Sequence, residues 1–506
     1  MKVSRAYRNI ISNFAVQIIS TIAGIIIPKL IIVQYGSTIN GMVGSVGQFL
    51  MYAGLVEAGI GNASIVALYK PLTEKSWNDV NVILSEVNRK YRKSGFIYIL
   101  ITLLIACIYP FFVSDQIDYS FAFNMTILLS LMGVIDYFLI GKYKVLLTAD
   151  NKYYIVNFAK MLENCILACG SIFLLINGFS LLIVKGFAVV THIGEAICLK
   201  TYVHFHYQNI EFKSIQRVEL KQQKSALLHQ ICMVITYNTD LIVLTLLLKG
   251  NSLSEISVYS VYSLILSFAK NFISSLCVGL SASFGKLYVK KEMEKLQKAF
   301  SRYELIYVIC LFAFYTCIMA LILPFIRCYV GNVTDTNYVR VKIAVLFTLT
   351  GVFSQLKDAH GTLVNGGCGA YKETQKYAIC EAVVNIGISV FLVRKLGIEG
   401  VLIGTVISHL LMDYGIIKYT YKEVLPQIKK SSEARIMRNF IFFVIMSYIE
   451  VSVCISIEQW NVWIITAVII TLINSIIFFL FNYAFERQEL IAALPLENLK
   501  KKEHHI

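Results

Sequence analysis

Twelve ionisable residues stand inside runs of apolar sequence where charge has no obvious place: Lys29, Glu57, Asp136, Lys160, Glu163, Glu195, Asp240, Lys270, Lys357, Asp358, Glu381 and Asp413. A charge at the centre of a membrane-spanning helix costs at least ~2.5–3.5 kcal/mol on insertion scales, so each must face a polar cavity or a partner. A lysine there offers a point charge to an anion such as a phosphate. A carboxylate there can take up a proton or a small cation. By distance from the ends of their runs, Glu57, Asp136, Asp240 and Lys270 are the deepest. Substrate contact, ion coupling or gating competes for these four with a purely structural ion pair. Lys29 and Lys160 lie close enough to run ends to snorkel, and Lys160 and Glu163, three apart on one helical face, can neutralise each other. Glu57 follows Gly36 by 21 residues and Lys270 follows Gly250 by 20, so two opposite charges sit at matching depth and suggest a latch.

Other chemistry is poorly represented. His192, His229, His360 and His409 fall singly in different apolar runs, which suits helix–helix hydrogen bonding better than general base catalysis, and His504 and His505 are tail residues. The twelve cysteines are scattered, with no CxxC pair and no Cys/His ligand spacing, so neither a disulfide framework nor a zinc site is expected. No P-loop occurs. The reading is of a protein that is not an enzyme, with no catalytic, cofactor or metal residues assigned.

These charges need elements to position them. Of 506 residues, 57% are hydrophobic and 15% charged, where a soluble domain would carry roughly 25% charged residues. Apolar stretches recur from end to end, each long enough to cross ~30 Å of hydrocarbon at ~1.5 Å per residue. Spans are predicted at 10–33, 40–68, 94–114, 121–148, 153–176, 181–203, 225–248, 256–284, 304–326, 342–364, 376–396, 399–417, 436–457 and 461–484. The net charge of +15 does not point to nucleic acid, because the basic residues gather in short loops beside the spans. With the N-terminus placed inside, 35 of the 46 Lys and Arg fall on the inner side and 7 on the outer, which puts both termini in the cytoplasm. Two inner stretches, Trp77–Arg92 and Lys286–Arg302, are amphipathic and read as helices lying on the lipid surface. The outer loops are too short to hold a catalytic domain.

Sliding the chain by 214 residues brings Gly36 onto Gly250, Pro110 onto Pro324 and Asn151 onto Asn365, with hydrophobic phase and loop lengths kept in step. Six spans per unit give two repeats of the same orientation, related about the membrane normal with a site between them. The reading divides the chain into lobes 1–224 and 225–424 and a segment 425–506 holding two further spans and a tail. Six glycines, at 41, 44, 47, 54, 59 and 61, punctuate the second span and suit either close helix packing or a gating bend.

The stretch from Gly36 to Leu50 (GSTINGMVGSVGQFL), followed by Glu57-Ala58-Gly59-Ile60-Gly61, resembles the Wzx-type polysaccharide flippases of the multidrug/oligosaccharidyl-lipid/polysaccharide (MOP) exporter superfamily. Leu146–Lys152, Ser257–Tyr262, Lys372–Lys376 and Gly397–Thr405 carry the same resemblance, which runs over essentially the whole chain. It implies an all-helical, MATE-like fold of about 14 spans, in which two six-helix lobes form a V and two helices are added. It also implies that an undecaprenyl-diphosphate-linked oligosaccharide is turned from the inner to the outer leaflet of a bacterial cell membrane by alternating access, for surface polysaccharide assembly. Membrane lipids and other polysaccharide-assembly proteins are the partners implied, nucleic acid is not, and H+ or Na+ is the coupling ion to consider. Cavity cations of such flippases meet the lipid's diphosphate; Lys29, Lys160 and Lys270 are the candidates, with Glu57, Asp136 and Asp240 for coupling or gating. These lysines depart from the members that use arginines, and lysine lacks the bidentate fork. A cation-coupled drug or metabolite exporter of the same superfamily is the alternative, and a membrane-embedded glycan polymerase or transferase a more distant one.

Overall fold

The computed structural model describes residues 2–212, 214, 216, 218, 224–277, 280–331, 333–426 and 429–493, and every regular element among them is a helix. Backbone groups surrounded by hydrocarbon have no water to bond, so a helix, which satisfies them internally, is the form such apolar runs take. Large apolar side chains point outward along the helices, among them Leu100, Phe111, Phe391 and Val453. Thirteen helices among the described residues are long and apolar enough to cross a membrane. The remaining predicted span, at 342–364, is the helix Val341–Gly361, whose Lys357 and Asp358 dilute its apolarity.

Contacts gather the chain into two compact units, Met1–Ser257 and Val258–Ile506. The first unit contains α1 (Lys2–Tyr35), α2 (Ser37–Ala53), α3 (Ile60–Glu74), α4 (Trp77–Val113), α5 (Tyr119–Ile135), α6 (Gly141–Ala149), α7 (Tyr153–Ile176), α8 (Leu181–His206) and α9 (Lys224–Leu247). The helix α10 (Ser252–Ser275) carries the chain from one unit to the next. The second unit continues with α11 (Leu280–Val289), α12 (Met293–Val330), α13 (Val341–Gly361), α14 (Tyr371–Leu396), α15 (Ile398–Tyr419), α16 (Lys429–Cys454) and α17 (Trp460–Ala493). Its core is built on α12, 72% of whose most apolar window is buried, against α13, α16 and α17.

Two sequence expectations are corrected. The amphipathic stretches Trp77–Arg92 and Lys286–Arg302 are not separate surface helices. The first is the leading part of α4, and most of the second leads into α12, so spans three and nine begin as polar helices that run on unbroken into apolar ones. Their apolar residues, Val80, Leu84 and Val87 in α4 and Leu296 and Phe300 in α12, are buried against protein. The internal repeat is present but not at one fixed offset. Left-handed backbone recurs at Gly36 and Gly250, Lys75 and Lys291, Asn151 and Gly369, and Gly178 and Gly397, separations of 214, 216, 218 and 219 residues. Asn151 thus corresponds to Gly369 rather than Asn365. The offset grows by two residues between Gly36 and Lys75, by two more before Asn151 and by one before Gly178, so the slip is spread over several turns.

Candidate functional site

The second span does not cross as one helix. After α2 the chain tightens into a 3-10 turn at Gly54–Glu57, Ala58 turns to φ −50°, ψ 125°, and Gly59 takes a left-handed φ of 82° before α3 begins. The glycines therefore divide their work. Gly59 makes the bend, while a Cβ on Gly41 would lie 1.7 Å from the carbonyl oxygen of Leu253, so that glycine serves close packing. A broken helix leaves carbonyls without intrahelical donors, and side chains fill in: Tyr137 Oη donates to Gly54 O at 3.1 Å and Ser94 Oγ to Val56 O at 3.2 Å.

Beside this break lies a cavity of about 660 Å³, walled by Gly54, Glu57 and Gly59 of the broken span, Tyr98 of α4, Asp136 at the π-helical turn Asp136–Ile140 and Gln230 of α9. Two of the acids marked by sequence, Glu57 and Asp136, face the same space. Glu57 accepts a hydrogen bond from Tyr91 Oη at 2.5 Å, which places it level with the start of the apolar part of α4 rather than at mid-span. Asp136, with half its side chain exposed, is the open end of a buried chain of charges. His192 Nε2 stands 3.3 Å from Asp136 Oδ1, and its Nδ1 stands 3.0 Å from Glu163 Oε1 and 3.3 Å from Glu195 Oε2. Lys160 Nζ closes the chain, 2.5 Å from Glu163 and 3.5 Å from Glu195. The network runs from a cavity wall through a buried imidazole to a partly exposed ammonium, an arrangement able to move a proton or to fix charge. Glu163, His192 and Glu195 also offer ligand atoms within 4.8 Å of one another, but the lysine already occupies the cationic place among them.

The second unit repeats the theme. Glu381 of α14 meets His409 Nδ1 of α15 at 2.7 Å and pairs with Lys357 of α13. Asp413 stands one turn after His409, as Glu195 stands one turn after His192. The repeat relates Glu163 to Glu381 and Glu195 to Asp413, both 218 apart, in keeping with the slipped register. Asp413 is buried, and neither of its carboxylate oxygens has a hydrogen-bond partner among the described residues.

The other candidates are dispersed. Lys29 and Lys160 are not at one level. α1 and α7 run in parallel, joined at Asn157 to Ser12, Asn164 to Ser20 and Gln34 to the Leu175 carbonyl, which sets Lys29 roughly 20 Å of helix beyond Lys160. Asp240 is buried on α9 close to Tyr52, ten residues beyond Gln230 and outside the cavity lining. Lys270 lies in the second unit, where Asp358, Lys357 and Glu381 are its interacting charges. Within its own unit Glu57 thus has Tyr91 as a hydrogen-bond donor, and Lys270 has Asp358 and Glu381 as opposite charges. Sequence reasoning missed the tyrosines 91, 98 and 137, since a tyrosine on an apolar face carries no signal of what its hydroxyl reaches. His192 does hydrogen-bond between helices as expected of a lone histidine, and in doing so gathers acids from three of them.

No family model matches the chain, and no curated protein matches it in sequence. Solved structures do match in fold. The lipid II flippase MurJ in an inward closed conformation superimposes with a TM-score of 0.65 at 15% identity, over 94% of this chain and 99% of that one. An inward-facing multidrug resistance MATE family transporter of the MOP superfamily gives 0.61 at 14% identity, over 85% and 96%. A MOP superfamily transporter from Pyrococcus furiosus Vc1, whose binding pocket has reversed polarity, gives 0.54 at 13% identity, over 87% and 96%. The chain has the multi-helix membrane fold that these transporters share.

Proposed function

We propose that this protein is a flippase that carries an undecaprenyl-diphosphate-linked oligosaccharide from the inner to the outer leaflet of a bacterial cell membrane by alternating access. The observation that carries the reading is the reach of the fold likeness: it takes in 94% of the chain against the lipid II flippase and 85% against the MATE transporter. The mixture of buried charges supports it, since an anionic headgroup needs cations and the conformational cycle needs groups that change charge. In this proposal Lys270 and Lys29 serve the diphosphate. Lys160, engaged by two carboxylates, offsets part of the charge of the Glu163–His192–Glu195 cluster. Glu57 and Asp136 sense the cavity's occupancy and Asp240 supports the moving helix. Reconstitution tests it. Proteoliposomes bearing a fluorescent polyprenyl-diphosphate oligosaccharide should expose it to an outside quencher or glycosidase faster with the protein than without. Lys270→Ala should abolish most of that gain and Lys270→Arg should keep part of it. No gain over protein-free liposomes would refute the reading.

A second reading, cation-coupled export of a small molecule, is favoured by Asp413. A buried carboxylate whose oxygens have no hydrogen-bond partner among the described residues suits a site that takes up a proton or a small cation. A Na+- or proton-gradient-dependent efflux of small cations in the same vesicles, without lipid movement, would select it.

A further inference from the structure

The cavity of the first unit has a lining of one sign. Glu57 and Asp136 present carboxyl groups to it, and no lysine, arginine or histidine is among the described residues that wall it. Cations do stand behind the wall: His192 meets Asp136, Lys160 lies deeper in the same chain of charges, and Lys144 acts on Glu57. Even with His192 charged, those three do not match the four carboxyl groups of Glu57, Asp136, Glu163 and Glu195. The shape of the cavity is equally particular. Gly47, Met51 and Gly54 fall on one face of the second span, and a Cβ on either glycine would meet nothing within 4 Å. A glycine inside a helix costs stability, and here no close neighbour requires one, so the room these two leave belongs to the cavity. Tyr98 and Tyr137 also line it, their ring centroids 5.1 Å apart. Gly133 seats the first of them, since a Cβ there would lie 2.3 Å from the Tyr98 hydroxyl.

Carboxyl oxygens accept hydrogen bonds from hydroxyl and ammonium groups and repel anions. A sugar ring offers what such a wall takes, C–H faces for the aromatic and aliphatic side chains and hydroxyls at its edge for the acids. A diphosphate or an acidic sugar would instead meet two carboxyl groups of its own sign. We propose that this cavity reads the glycan: it takes sugar residues of the transported lipid, prefers those bearing an ammonium group, and rejects acidic sugars and the diphosphate. Glu57 and Asp136 set that preference, because a charge-assisted hydrogen bond to a carboxylate is the stronger kind. At about 660 Å³ the cavity has the size of a ligand pocket and room for more than one ring. The sugar's attachment to a polyprenyl diphosphate rests on the transport reading above; the preference in sign and shape rests on the cavity alone.

The test uses the full chain in phosphatidylcholine nanodiscs, titrated with farnesyl diphosphate carrying glucosamine, N-acetylglucosamine or glucuronic acid, and with farnesyl diphosphate itself. Affinity should fall in that order among the three sugars, by on the order of tenfold from first to last. Glu57→Gln/Asp136→Asn, which keeps shape and hydrogen-bonding groups, should shrink the spread to about threefold or less, while affinity for farnesyl diphosphate does not fall. Gly47→Leu should fill the cavity and weaken the amino and acetylamino ligands without weakening farnesyl diphosphate. Equal affinity for the three sugars in the parent, or an undiminished spread in a monodisperse double variant, would overturn the site. Gly47→Leu binding the sugars as the parent does would overturn it as well. Tetraphenylphosphonium, a cation without hydroxyls, displacing the glucosamine ligand at lower concentration than the ligand's own would overturn the sugar assignment in favour of a small organic cation. Translocation by the parent, with equal affinity for all three sugars, would sink this inference and leave the transport reading standing. A ranked affinity that the double variant loses, without translocation of any of the three, would do the reverse.

Discussion

At the residue scale the chain shows how one side chain can be read correctly in type and differently in role. Lys160 is a partly buried cation near a run end, but two carboxylates meet it, and Glu163 and Glu195 are each less than a tenth exposed. Removing the lysine leaves those acids with only His192. Lys160→Ala should therefore lower stability by about 2 kcal/mol, below the ~3–5 kcal/mol of a fully buried pair because the ammonium is partly exposed. Lys160→Ala/Glu163→Gln should recover most of that loss, with coupling visible in a double-mutant cycle of thermal unfolding in detergent. Additive losses would return Lys160 to the list of cations free to meet a substrate. Sequence could pair Lys160 with Glu163, because three residues on a helix are neighbours. It could not show that His192 and Glu195, some thirty residues on, complete the group.

At the element scale, the second span is where local sequence and global fold meet. Its glycines announce either packing or bending; the structure assigns one role to Gly41 and the other to Gly59, and leaves Gly47 with nothing within 4 Å of a Cβ. Gly41→Ala should force α2 from the start of α10 and destabilise the protein by about 1–3 kcal/mol. Gly47→Ala should be close to neutral. Melting temperatures followed by size-exclusion in detergent compare the two, and equal values would mean that the α2–α10 contact relaxes freely. The two C-terminal helices are held by another element-scale device. Arg435 of α16, almost wholly buried, meets Glu304 of α12 at 2.5 Å and Glu486 of α17 at 2.5 Å, and Arg438 shares Glu486. Glu486 is also where α17 departs from helical backbone, at φ −132°, ψ 43°. Nothing in the spacing of Glu304, Arg435 and Glu486 marks them as partners, because the contact depends on which helices pack together.

At the scale of the whole molecule, the asymmetry of basic residues predicts a threading that direct labelling can check. Cysteine accessibility at positions 80, 215, 292 and 430 should place all four on the cytoplasmic side, and finding any two outside would overturn it. The number and nature of the helices were determined by the sequence itself, since apolar runs of bilayer length in hydrocarbon have no other way to satisfy their backbone. So was the existence of a repeat, because glycines and prolines that stop or kink helices recur at similar distances. What only the tertiary structure decided is the register of that repeat, the continuity of Trp77–Arg92 with the third span, and the company each buried charge keeps. A residue more or less in a turn needs no marker, and an amphipathic helix buries its apolar face equally well on lipid or on protein. A charge in an apolar run declares only that it needs a partner. Which helix supplies that partner, as α8 does for Asp136 and α13 for Glu381, follows from packing between segments far apart in the chain, and no local pattern encodes it.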